Sequence, residues 1–314
     1  MKPFLSKLIG YFGFIFLIAL LLQVFLSYRI QDKIISDNNP SEVSSNKNAE
    51  LLFLGNSRCS MHFDPAFFAT NYSLRCANLG INGHHDLAMA TLQLQRFMMA
   101  NKAPKYVVLN FDPFTSVGGS TNKSNFVLKD EFARYAFFPH DKDSLYANYF
   151  KFSLAEKYLP LYALFKYRQF RNCIFIKNTN DYKTFGYQKK DQYWDTIVPN
   201  NERFLKHKYF KKSALPSISI ALSALNTMCV RHHIKLLCIQ TPVHQSVYDT
   251  VLYSATGTLC RQLKIPFVDV NTPYFASHSK LYLNANHLNT YGVGQLNLFL
   301  NKDPVFNHFI TQKP

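Results

Sequence analysis

Beyond residue 50 the chain alternates short, mainly apolar runs with longer stretches whose apolar positions recur every three or four residues. The runs at 51–54, 74–79, 106–111, 234–239 and 267–270 have the length of buried strands. The stretches at about 86–99, 215–230, 245–263 and 290–301 have helical period; in the first, Leu87, Ala90, Leu94, Phe97 and Met98 line one face. Five strands alternating with helices predict an α/β fold in three layers, α/β/α, around a five-stranded parallel sheet. Ligands of such sheets sit at the carboxyl ends of the strands. Ser57 and Asp112 each follow a strand, and His287 lies in the loop and helix start beyond the last one, so topology alone predicts that they share an edge.

The N-terminal part has a different pattern. From Leu8 to Leu26 only Gln23 is strongly polar, and as a helix this stretch is about 28 Å long, close to the thickness of a bilayer core. Small residues that would mark a cleavage point are missing around Phe25 and Ser27, which predicts an uncleaved membrane anchor over 1–30; a cleaved signal peptide is the alternative. Lys2, Lys7 and the amino terminus precede the span and Arg29 and Lys33 follow it. This weak bias predicts a cytoplasmic N-terminus and a single-pass protein of the inner (cytoplasmic) membrane whose domain lies outside the cytoplasm. Residues 31–49 are polar, lack apolar period and read as a tether, so the folded domain is expected over 50–314. Within it the alternation stops at about 115–212, a largely helical insertion rich in Phe, Tyr and Lys with helix-like stretches at 126–138 and 154–170. It is either a lid or substrate surface, or a set of packing helices.

Charge and cysteine content narrow the compartment only slightly. A formal charge of +16 favours acidic polysaccharide or lipid headgroups outside a membrane, and nucleic acid inside it. No nucleic-acid-binding motif accompanies the scattered Lys and Arg residues, so no nucleic-acid partner is expected. Cys59, Cys76, Cys173, Cys229, Cys238 and Cys260 lack Cys-x-x-Cys spacing, several lie in apolar contexts, and both disulfides and buried thiols remain open. The pairs His84-His85 and His232-His233 lack the spacing or carboxylates of a zinc site. No phosphate-cradling or dinucleotide glycine motif is present, so neither metal nor cofactor is expected.

Two strings about 230 residues apart carry the candidate chemistry: Leu51-Leu52-Phe53-Leu54-Gly55-Asn56-Ser57-Arg58 and Asn284-Ala285-Asn286-His287-Leu288-Asn289. The first is a buried strand ending in a tight turn that presents a serine. The second sets a histidine in a polar loop. A serine hydroxyl needs a base, an orienter for that base and donors for the oxyanion. His287 is the candidate base, the Ser57 N–H one oxyanion donor, and Gly83, in Asn78-Leu79-Gly80-Ile81-Asn82-Gly83-His84, a point where backbone can approach the reacting carbonyl. Cys59 is read as buried packing. His244, in Thr241-Pro242-Val243-His244 after the fourth strand, either lines the pocket or closes a turn.

In these blocks the chain resembles the SGNH (GDSL-like) hydrolase superfamily, in particular membrane-anchored envelope members related to alginate-type polysaccharide O-acetyltransferases. The likeness covers roughly 50–301, apart from the insertion. Gly55-Asn56-Ser57 matches the first block, with Arg58 and Asp64-Pro65 as in anchored members. Asn78, Gly80 and Gly83 match the second, and His287-Leu288-Asn289 with Gly292 the last. The resemblance implies a flavodoxin-like sheet, Ser57 as nucleophile, His287 as base, and Gly83 as an oxyanion donor. Two departures stand out. No asparagine follows the third strand where the family has an oxyanion donor, an absence worth about 2.7 to 4 kcal/mol if nothing replaces it. Asn284 occupies the triad aspartate position, where an amide stabilises imidazolium less than a carboxylate does and can favour the wrong tautomer. Asp112 and Asp269 are the candidate substitute carboxylates.

The resemblance and the anchor together imply a membrane-anchored serine esterase or O-acyltransferase acting on acyl, chiefly acetyl, esters of a cell-envelope polysaccharide, with a separate acyl-donor membrane protein as partner in the transfer case. The alternative is a catalytically inactive SGNH-like domain that binds glycan or scaffolds envelope assembly.

Overall fold

The computed structural model describes residues 2–31, 48–83, 86–113, 132–139, 141–167, 185–194 and 215–312. Most of the tether, much of the insertion, Cys173 and the pair His84-His85 lie outside them. By internal contacts the chain divides into two units, Met1–Asp37 with Ser120–Thr179 and Asn38–Gly119 with Asn180–Pro314.

The second unit is built on five parallel strands, β1 (Leu51–Leu54), β2 (Cys76–Asn78), β3 (Tyr106–Asn110), β4 (Lys235–Gln240) and β5 (Phe267–Asp269), in the order β2-β1-β3-β4-β5. Alternation within each strand divides the core. Leu52, Leu54, Val107, Leu109, Leu236 and Cys238 face the helices Leu87–Ala100, Leu215–Arg231 and Thr250–Gln262. Leu51, Phe53, Val108, Leu237 and Ile239 face the opposite layer, where Phe63, Phe68, Leu296, Leu300 and Phe306 pack. The strands are buried on both faces, so their sequences read as apolar runs. The sheet reverses its strand order between β1 and β3, the crevice where ligands of such sheets bind. The chain leaves β1 at that point into the Ser57 turn.

The segment leading into the expected final helix departs from expectation, and a further helix, Pro304–Thr311, follows that one. In place of a loop there is a small antiparallel hairpin outside the main sheet, β6 (Tyr282–Asn284) and β7 (His287–Leu288), followed by the helix Thr290–Lys302. Asn289 caps that helix: its Oδ1 accepts the Gly292 N–H at 3.0 Å, while its Nδ2 donates to the Lys280 and Tyr282 carbonyls at 2.8 and 3.2 Å. One side chain therefore fixes the hairpin to the helix. The helix expected from residue 245 begins instead at Thr250, because Asp249 accepts the N–H groups of Val251 and Leu252.

In the first unit the helix Lys2–Gln31 contains a 24-residue segment, Pro3–Leu26, long and apolar enough to cross a membrane. The described part of the insertion has helices at Asp141–Tyr149, Leu154–Tyr158 and Tyr162–Lys166. The expected continuous helix from residue 154 is broken at 159–161, where Pro160 has no N–H to donate and Leu161 adopts φ 65°.

Candidate functional site

The β1 turn determines where the serine points. Gly55 has φ +148°, and a Cβ there would lie 2.9 Å from Cys59 Cβ and 3.0 Å from Asn110 Cβ, so only glycine fits this crossing. Asn56 then caps the helix Ser57–His62 through Arg58 N–H (2.8 Å), which leaves the Ser57 N–H outside the cap. Asn78 fastens the other end of that helix, with Nδ2 donating to the Cys59 and Phe63 carbonyls at 2.8 Å each and Oδ1 accepting the Gly80 N–H at 2.9 Å. The asparagine of the second block is thus a clamp between β2 and the serine helix. The turn beyond it reaches back toward the serine: Ile81 N–H donates to the Gly55 carbonyl at 3.0 Å, and Ser60 Oγ donates to Asn82 Oδ1 at 2.6 Å. Gly83 lies in this turn at φ +70° and is exposed.

The hairpin brings the histidine to the serine. Ser57 Oγ lies 2.8 Å from His287 Nε2, and His287 Nδ1 lies 3.0 Å from Asn284 Oδ1. Asn284 Oδ1 also accepts the backbone N–H groups of Asn286 (3.1 Å) and His287 (2.9 Å). This second pair of bonds fixes the amide. Turning it over would set its NH2 against two N–H donors, so the oxygen must face the ring. An oxygen at Nδ1 requires the proton on Nδ1 and leaves Nε2 as the acceptor for the Ser57 hydroxyl. The tautomer problem raised by an amide at position 284 therefore does not arise here. What Asn284 lacks is the negative charge that would stabilise imidazolium.

Neither aspartate takes that place. Asp112 is fully buried and its Oδ2 accepts Arg58 Nη1 at 2.8 Å and Asn110 Nδ2 at 3.0 Å. Asp269 Oδ1 accepts from the backbone and side-chain nitrogens of Asn271 at 2.9 and 2.7 Å, at the exposed end of β5. The oxygen on His287 Nδ1 belongs to Asn284. His244 Nδ1 lies 2.9 Å from Ser246 Oγ, its backbone N–H bonds Ala285 O of the hairpin at 2.9 Å, and its ring packs edge-on to Trp194. Burial lowers its pKa. Asn110, the last residue of β3, is turned toward Asp112, and residues 114–131 lie outside the described part.

Two further buried side chains support the site. Buried Arg58 joins three strand ends: besides Asp112 after β3, it donates through Nη2 to the Thr241 carbonyl and, at 3.2 Å, to the Pro242 carbonyl after β4. His62 Nε2 accepts the Leu288 N–H at 3.0 Å, one residue past His287, and its ring stands edge-on to the His287 ring at 6.1 Å. Burial, with lesser contributions from Arg58 and His287, holds its pKa well below 6.5. It must stay neutral to accept that bond.

A protonation cost follows for His62. The unfolded imidazole takes up a proton near pH 6.5 while the folded one resists, so stability is complete above that pH and falls as pH drops toward the depressed folded value, by up to about 1.4 kcal/mol per unit. His62→Gln retains an acceptor for Leu288 N–H and is expected to flatten this acid limb; His62→Phe orphans the N–H, costing about 1–3 kcal/mol, and loosens His287. Denaturation midpoints from pH 7 to 5 read both effects.

The five described cysteines are free and buried. Cys59 is no rival nucleophile: burial, with the Asp112 charge adding to it, raises its thiol pKa well above normal, and its Sγ lies 3.4 Å from Asn78 Oδ1.

No family model matches the chain, and a search of curated proteins finds no match. Among solved structures, a "putative acylhydrolase" from Bacteroides fragilis is similar at 13% identity and TM-score 0.37, over 85% of this chain and 90% of that one. A GDSL-like lipase from Bacteroides thetaiotaomicron is similar at 12% identity and TM-score 0.35, over 80% of this chain and 85% of the other.

Proposed function

We propose that the protein is a membrane-anchored serine esterase or O-acyltransferase of SGNH (GDSL-like) type. The observation that carries this reading is the chain of contacts from Ser57 Oγ to His287 Nε2 (2.8 Å) and from His287 Nδ1 to Asn284 Oδ1 (3.0 Å) at the switch point of a parallel sheet. In this scheme Ser57 Oγ attacks an acyl carbonyl while its proton passes to His287 Nε2. The oxyanion is held by Ser57 N–H and by the Gly83 backbone, and His287 returns the proton to the leaving alcohol. The acyl-enzyme is then resolved by water, giving hydrolysis, or by a sugar hydroxyl, giving transfer.

The envelope polysaccharide as substrate, an acetyl ester as the bond, an acyl-donor membrane protein as partner and a domain outside the cytoplasm rest on the motif resemblance together with the apolar N-terminal helix. A fluorophosphonate probe tests the reading: wild type is labelled and Ser57→Ala is not. Equal labelling of the two, or labelling of neither, would sink it. The neutral Asn284 favours one rival, an inactive domain that retains the fold to bind glycan. Glycan binding unchanged in Ser57→Ala, with no turnover of a small acetyl ester by wild type, would decide for that rival.

Asn284→Asp is expected to raise turnover. A carboxylate at the same place keeps the three accepted hydrogen bonds and adds the missing charge, which raises the His287 pKa. Because the amide oxygen already sets the tautomer, the gain is limited to imidazolium stabilisation, about ten- to a hundredfold. The base works as the neutral ring, so the acid limb of kcat/KM moves to higher pH. A pH–rate profile of the variant reads the gain and the shift together.

A further inference from the structure

The insertion helices leave an apolar surface that the esterase chemistry does not use. Phe138, Leu154, Tyr158, Leu159, Tyr162 and Phe165 are 42–75% exposed, and they gather around the helices Leu154–Tyr158 and Tyr162–Lys166. Phe138 is tied in by its N–H to the Lys157 carbonyl (3.0 Å) and by its ring, 5.3 Å from that of Tyr158. The one acid between Lys151 and Lys166, Glu156, is turned inward, where it closes a capping box with Ser153 and accepts Lys166 Nζ at 2.8 Å. The surface of 151–166 thus carries Leu, Phe and Tyr beside Lys151 and Lys157, with its one carboxylate turned inward and held to Lys166.

A second observation says what covers this surface. Gln23, the strongly polar residue of the apolar span, is 2% exposed, and its Oε1 accepts the Leu161 N–H at 2.8 Å. Leu161 sits between the two short helices. The span ends at Leu26, three residues on, so the contact lies about 4.5 Å along the axis from that end. Tyrosines and lysines beside leucine and phenylalanine are the composition that settles at the headgroup level of a bilayer.

We propose that this face of the insertion is a membrane-interface surface, seated in the outer headgroup region beside the anchor with Leu154, Tyr158, Leu159, Tyr162 and Phe165 directed into lipid. The inference rests on the anchor reading. It makes the insertion a second attachment to the bilayer.

The test places a tryptophan at Tyr158, Phe165 or Ile15, one at a time, in the full chain reconstituted in phosphatidylcholine–phosphatidylglycerol vesicles. Trp194, the chain's one tryptophan, is subtracted as the wild-type signal. Phosphatidylcholine brominated near the headgroup should remove most of the added emission from Tyr158→Trp and Phe165→Trp, and bromination deep in the acyl chain most of that from Ile15→Trp. Deep quenching at position 15 with none at 158 and 165 overturns the surface and leaves the anchor standing. No quenching at position 15 overturns the anchor, and the surface with it.

Discussion

Replacing Ser57 by alanine should cut kcat by about ten-thousand-fold or more, and replacing His287 by alanine should cut it about as far, while the double variant loses little beyond either single one. The reason lies in the single contact between them. The hydroxyl at 2.8 Å from Nε2 is a nucleophile only while that nitrogen takes its proton, and the imidazole has nothing to relay once the hydroxyl is gone. What remains in every variant is whatever binding and oxyanion donors supply. Steady-state kinetics on a small acetyl ester would read the cycle. Losses that multiply in the double variant would mean that the two residues act separately, and the proposed mechanism would fail. Both residues are only half-buried, so neither substitution should move the thermal midpoint far.

The largest stability effect is expected from Arg58→Met. Arg58 and Asp112 are 2% and 0% exposed, and removing the cation leaves a buried carboxylate without its counter-charge, a cost of about 3–5 kcal/mol. Replacing both ends, Arg58→Met with Asp112→Leu, should recover most of that loss, because a well-packed apolar pair needs no hydration. Urea denaturation of the two variants gives the comparison. A double variant as unstable as the single one would show that the carbonyl bonds to Thr241 and Pro242 matter more than the ion pair.

The sheet could be read from the sequence because its strands are buried on both faces and appear as unbroken apolar runs; β1 was expected at 51–54 and lies at Leu51–Leu54. The hairpin could not. Three residues in β6 and two in β7 are too few to show an alternating period, and His287 was expected in a loop. The orientation of Asn284 was equally hidden, since it depends on two backbone N–H groups that meet its oxygen only when the hairpin turns. Arg58 left a usable trace: it is the one Lys or Arg between residues 51 and 74, it follows β1, and Asp112 follows the neighbouring β3. Two opposite charges at adjacent strand ends suggest a pair. His62 left none, because nothing in a sequence distinguishes a buried histidine that accepts a remote N–H from an exposed one.

The imidazole rides on a ribbon that shares no ladder with the five-stranded sheet. Under the proposed mechanism, proton transfer and scaffold are therefore separable properties of this chain. Exchanges confined to 282–289 can retune the basicity of the ring, or remove it, with every strand of the large sheet in its original register, so a working and a silent form of this protein can differ by a single side chain there.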